Sequence, residues 1–154
     1  MASEKLRYIK RGPSPIIERN ELKKHLVNFS SDNLIDTIWQ SAESNLHLWK
    51  ALNGHIGMIK ANGNWQKTKD AIDYALHFED IISCKEHGHE IIIYEMIKAL
   101  NVLFDNVSNE FALKAATYIL EQGREQLYSF EDDWSWSCAL GNIEEWLAST
   151  SSDK

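Results

Sequence analysis

Proline is nearly missing from this chain. Pro13 and Pro15 are the only two, and none follows residue 15. Proline removes a backbone donor and clashes inside a helix, so a long proline-free stretch is what successive helices require. Cysteine is equally scarce. Cys84 and Cys138 stand far apart with no CxxC spacing, which excludes a zinc ribbon and a CxxC redox site. They are expected as two buried thiols in a reducing cytosol. The longest apolar run, Ile91-Ile92-Ile93-Tyr94, is far short of the roughly 18–20 residues of a membrane span. Residues 1–10 are basic with no apolar stretch after them, so neither a secretory nor a transit pattern is present. The sequence reads as cytoplasmic, with no membrane partner. Also missing are GxxxxGK[ST], GxGxxG and GxSxG, the frames that cradle phosphates or expose a serine nucleophile.

Positive charge is in short supply too. Lys and Arg number 16 against 23 Asp and Glu, a formal net charge of -7. That sign argues against nucleic acid as a direct partner. The imbalance is concentrated: residues 1–77 hold 11 bases and 8 acids, residues 78–154 hold 5 bases and 15 acids. A surface so polarised steers cationic partners towards it, besides keeping the protein soluble.

What is present is an ordinary globular composition, 44% hydrophobic and 25% charged in 154 residues, which fits one domain with one core. Hydrophobic periodicity predicts helices over residues 19–29, 32–43, 45–60, 65–83, 89–105, 109–123 and 131–148, with Gly54 and Gly57 threatening the third. Breakers fall where joints are needed: Ser30-Ser31-Asp32, Asn62-Gly63-Asn64, Gly88, and Ser108 as an N-cap. The fifth helix is apolar on all but a narrow stripe and is expected to be central. The fold class is therefore all-α, a compact bundle or short solenoid of about seven antiparallel helices. Residues 1–154 form a single helical domain in this reading. Residues 1–15 are an extended lead-in, with at most one short strand near residues 6–10, and residues 149–154 a frayed tail.

Two clusters bear on chemistry. The first is His77-Phe78-Glu79-Asp80 with Cys84, Glu86, His87, His89 and Glu90, all metal-ligand types, which would suit a metal-dependent hydrolase. Their spacing is poor, because a helical zinc site wants HExxH and no such pair exists here. No metal, no cofactor and no catalytic residue are expected. The second is Phe130-Glu131-Asp132-Asp133-Trp134-Ser135-Trp136, where three acids meet two tryptophans. Acids in a first turn complement the helix dipole, and Ser129 with Asp132 resembles a capping box. Trp134 and Trp136 lie about 200° apart on a helix, so Trp136 is read as core and Trp134 as a surface aromatic of the kind that anchors interfaces. Trp39, Trp49, Trp65 and Trp146 are read as core. The partner-binding candidates are Glu131, Asp132, Asp133 and Trp134, with Glu121, Glu125, Glu144 and Glu145 contributing to the same field.

Two stretches, His77-Phe78-Glu79-Asp80-Ile81-Ile82 and Trp136-Ser137-Cys138-Ala139-Leu140-Gly141-Asn142-Ile143, resemble segments of the small helical, partly HEAT-like immunity proteins that bacteria pair with toxins of contact-dependent growth inhibition and related systems. The resemblance implies a non-catalytic protein that binds one cognate toxin, often a nuclease, and covers its cationic active site. A helical adaptor or assembly subunit is the competing class without chemistry. If residues 131–134 form the contact, rim acids set encounter and a central aromatic sets residence. Replacing Glu131, Asp132 and Asp133 by Ala should lower the association rate and flatten its salt dependence. Trp134→Ala should raise the dissociation rate, at a cost of roughly 2 kcal/mol or more. Stopped-flow binding at two ionic strengths reads both effects.

Overall fold

The computed structural model of the chain describes residues 19–77, 89–129 and 134–151, all of the regular structure there being α-helix. The expected lead-in and the strand near residues 6–10 lie outside the described residues. Seven helices are described: α1 Arg19–Leu26, α2 Ser31–Ser44, α3 Leu46–Ala61, α4 Trp65–Leu76, α5 His89–Asn106, α6 Asn109–Ser129 and α7 Trp134–Ser151. They divide between two compact units, Met1–Trp39 and Gln40–Lys154, with α2 running from the first into the second. The all-α class holds. Among the described residues, no helix is long and apolar enough to cross a membrane.

In the first unit, α1 stops at Leu26 rather than at residue 29. Val27 and Asn28 are weak helix formers, and the chain turns through Asn28 N–H to His25 O (3.0 Å) and Phe29 N–H to Leu26 O (3.1 Å). Ser30 then starts α2, its Oγ accepting from Asn33 N–H at 3.2 Å. Asp32 adds a favourable charge at that N-terminus. The core role expected of Trp39 is not what the structure shows. It is 55% exposed, on the same side of α2 as the exposed Ile35 and Ile38, because the helical period aligns side chains on one face and does not by itself bury that face.

The second unit holds the buried core. α3 packs against α4 and α5, and α6 packs against the same two, so these four helices close a ring; α7 lies on α5 and α6. Helix α5 touches three others and is central, as its nearly all-round apolar surface predicts. Ile92, Ile93, Met96, Leu100 and Leu103 are each buried, and burying a side chain of that size contributes about 1.5–3 kcal/mol. Asn45 and Asn64 cap α3 and α4 by accepting from Leu48 N–H (3.1 Å) and Lys67 N–H (2.9 Å). Ser108 caps α6 at Phe111 N–H (3.0 Å), in the role read from sequence. The α3–α4 corner needs a left-handed residue at Asn62 (φ 46) and another positive φ at Gly63 (φ 90).

Glycine inside helices has a packing purpose here. Gly54 and Gly57 do not break α3. A Cβ on Gly54 would sit 2.8 Å from Ala75 Cβ, and one on Gly57 would sit 2.8 Å from Ala71 Cβ. The pairing of 54 with 75 and 57 with 71 shows α3 and α4 to be antiparallel and in very close approach. Gly123 likewise does not end α6, which continues to Ser129. A Cβ there would collide with Leu140 Cδ2, and the Gly123 carbonyl accepts from Trp136 Nε1–H at 2.8 Å. Trp136 is buried, as read. The tail expected to fray from residue 149 remains helical through Ser151.

Helix α4 ends seven residues before the predicted residue 83, and residues 78–83 lie outside the described residues. The cause is visible at its end. Lys50 of α3, 8% exposed, donates from Nζ to the carbonyls of Tyr74 and His77, both at 2.7 Å. The Tyr74 carbonyl, which a further helical turn would use, is thereby occupied, and the ammonium meets the negative end of the α4 dipole.

Two substitutions separate packing from propensity. Gly54→Ala should lower stability by about 1–3 kcal/mol, since Ala75 Cβ cannot rotate away and overpacking outweighs the helix-propensity gain. Gly141→Ala, where an added Cβ meets nothing within 4 Å, should raise it by up to about 1 kcal/mol. Urea unfolding followed by circular dichroism measures both.

Candidate functional site

Helices α4 and α6 present one seam that is aromatic at one end and acidic at the other. Trp65, the first residue of α4, packs edge-on against Phe111 (6.0 Å, 89°) and Tyr118 (5.6 Å, 76°) of α6. The Lys114 ammonium lies 4.2 Å from the Trp65 ring centre, a cation–π contact. One turn further along α6, the Tyr118 hydroxyl donates to Asp73 Oδ1 at 2.7 Å. Asp73 then borders a cleft of about 190 Å³, lined also by Leu76, His77, Gln122 and Gln126.

The electrostatics of this seam are legible at Tyr118. Burial, the hydrogen bond to the Asp73 carboxylate, and the negative charges of Asp73, Glu125 and Asp70 push its phenol up to about 12. Three carboxylates from two helices thus act on one hydroxyl. Ionising it would add a fourth negative charge to a site that already repels it. What the arrangement can do chemically is receive a cation or a donor-rich side chain: acceptors from Asp70, Asp73 and Glu125, and amides from Gln122 and Gln126. His77 stands at the C-cap of α4 and borders the same cleft.

The residues singled out from sequence fall in several places. Glu121 and Glu125 are exposed on α6, and Glu125 belongs to the field around Tyr118. Glu144 is exposed on α7 but ion-paired with Arg124 at 2.7 Å, so its charge is locally balanced, at a gain to stability of about 1 kcal/mol or less. Glu145 is exposed on α7. Glu131, Asp132 and Asp133 lie outside the described residues, and Trp134 opens α7 with its side chain outside the description. In the His77–Glu90 cluster, residues 78–88 also lie outside it, while Glu90 is exposed in the first turn of α5. Among the described residues, no group of three or more His, Cys, Asp or Glu is placed to hold a metal ion. Cys138 is a free, exposed thiol rather than the buried one expected. It falls on the outer face of α7, whose inward positions are Trp136, Ala139, Leu140 and Ile143.

Asp70, Asp73, Tyr118, Gln122 and Gln126 were not candidates from sequence. Asp70 and Asp73 share one face of a helix at i, i+3 spacing, a signal that was available. Their partner Tyr118 is 45 positions from Asp73, and no local pattern joins residues so far apart. A second polar tie, His55 Nδ1 to Glu95 Oε2 at 3.3 Å with Lys98 Nζ at 3.0 Å from the same oxygen, joins α3 to its ring neighbour α5. In comparisons with known proteins, no family model matches the chain, and neither a curated protein nor a solved structure matches it.

The Tyr118 shift gives a signed expectation. A folded-state value raised above the ordinary tyrosine value of about 10 means stabilisation that is complete below pH 10 and is lost as pH rises to about 12. Unfolding measured across that window should show the loss in the native chain. Tyr118→Phe should remove the part of the slope due to this residue; an unchanged slope would mean that the Tyr118 phenol is not raised in the folded chain.

Proposed function

We propose that this chain is a non-catalytic binding protein whose acidic surface captures a cationic protein domain, and that it serves as an immunity protein neutralising a cognate toxin, a nuclease being the class whose active site suits it. The observation that carries this reading is the joint field of Asp70, Asp73 and Glu125 at Tyr118 of the Trp65–Tyr118 aromatic seam, with a polar cleft bordered by Asp73 at its acidic end. A nuclease active site is positively charged so that it can hold phosphate, and an acidic partner can occupy the same field. Blocking needs no reacting group, only complementary shape and charge. The resemblance of residues 77–82 and 136–143 to immunity proteins points the same way.

In this reading the partner of the acidic seam is a protein, not nucleic acid or a membrane, and the complex forms in the cytoplasm. The gene directly upstream should encode a toxin whose terminal domain is cationic, and that domain should co-purify with this chain. Asp70→Asn/Asp73→Asn/Glu125→Gln should slow association about tenfold at low salt and flatten the salt dependence, with the dissociation rate nearly unchanged. An upstream domain that does not bind even at low ionic strength would sink the immunity assignment. Unchanged association kinetics in the triple variant would move the contact away from α4 and α6.

A further inference from the structure

The first unit carries an apolar surface that its own helices do not consume. On α1, Leu22 and Leu26 are 49% and 40% exposed; on α2, Ile35, Ile38 and Trp39 are 61%, 48% and 55% exposed; Phe29 between them is 50% exposed. Leu22 and Leu26 are one turn apart, and Ile35, Ile38 and Trp39 recur at helical spacing, so each helix shows a single stripe. Within the unit, α1 and α2 do not pack along one another. A helix of eight residues such as α1 is far below the roughly 12–15 residues at which an isolated helix becomes even marginal in water. Such a stripe stabilises its helix only when something covers it.

We propose that the covering partner is a second copy of this chain, with α1 of one copy laid against α2 of the other about a two-fold axis. Two observations select this occupant. The first is charge. The last turn of α1 is basic, with Lys23 and His25 on the two flanks of the Leu22–Leu26 stripe and Lys24 on the far side, whereas the unit's share of α2 holds Asp32 and Asp36 and no Lys or Arg. Asp32 and Asp36 are one turn apart, beside the Trp39 edge of the stripe. A two-fold pairing sets each basic helix end against the acidic edge of the other copy, twice, as an isologous interface demands. The second is area. Half-exposed side chains of this size present roughly 100 Å² each, so the six offer about 600 Å² per copy. Doubled by the axis, that reaches the lower end of stable specific interfaces, about 1,200 Å² in total. This inference does not depend on the toxin reading, since it uses none of the α4 or α6 residues.

Sedimentation velocity of the full chain over about 1–200 µM should show a monomer–dimer equilibrium. Ile35→Asp/Ile38→Asp should be monomeric throughout. Lys23→Glu/Lys24→Glu makes both edges acidic and Asp32→Lys/Asp36→Lys makes both basic. Each should weaken self-association about tenfold or more, and an equimolar mixture of the two should restore dimers, because every α1–α2 contact is then again of opposite sign. Circular dichroism of the two charge variants, whose changes are on the surface, checks that they are folded. A monomeric native chain at every concentration overturns the proposal and leaves the stripe to residues 1–18 or to another protein. A dimer that survives Ile35→Asp/Ile38→Asp, or a mixture that fails to pair, overturns it as well.

Discussion

Two helices can approach closely only if the side chains between them are small, and α3 and α4 meet through Gly54 against Ala75 and Gly57 against Ala71. One turn beyond Gly54, the same face of α3 carries Lys50, whose ammonium closes the end of α4 at Tyr74 and His77. The contact thus fixes α4 in depth and in length. Burying a lysine is costly, but two carbonyl acceptors and the Tyr74 ring at 4.5 Å offset that cost, and the carbonyls would otherwise lack donors at a helix terminus. With α4 held in this way from one side, its other side is free to meet α6, and the positions of Trp65 and Asp73 against Phe111 and Tyr118 follow.

The acidic seam is therefore a product of the frame rather than of a loop. Asp73 is positioned by a helix whose back is locked to α3, and Tyr118 by a helix packed on α4, α5 and α7. Both carboxylate and phenol are thus set by helix packing, and their spacing needs no further ordering of the chain. At the other end of α6, Gly123 lets Leu140 and Trp136 of α7 come close. The helix that carries Glu121 and Glu125 is thus clamped on both flanks of the ring.

Much of the fold was legible because it is written in local signals. Ser30, Asn64 and Ser108 mark helix starts through their own side chains, and the apolar period of α5 announces a central helix without reference to any other. What could not be read was set by partners distant in sequence. Val27 and Asn28 shortened α1 by a propensity effect open to inspection, but the end of α4 depends on Lys50, which lies 27 positions before His77. Glycines 54 and 57 looked like breakers because their neighbours across the interface were unknown. Of the candidate site, Glu121 and Glu125 came from the charge imbalance of the second half of the chain, whereas Asp70 and Asp73 sit in the half that counted as basic. Net charge averaged over many residues hid a pair of acids beside two lysines. Trp39 was misplaced for a related reason: periodicity finds a face, not what lies against it.

The small-residue contact between α3 and α4 also has a bearing on how such a protein can diverge. The geometry of the ring depends on keeping four positions small and one lysine in place, Gly54, Ala75 and Lys50 among them buried. The carboxylates of the seam carry little of that geometry, being exposed and held by helices already anchored elsewhere. Drift among Asp70, Glu121 and Glu125 can therefore redraw the charge on the outside of the molecule while the scaffold is inherited intact, so that its surface is free to vary without a new fold having to be solved first.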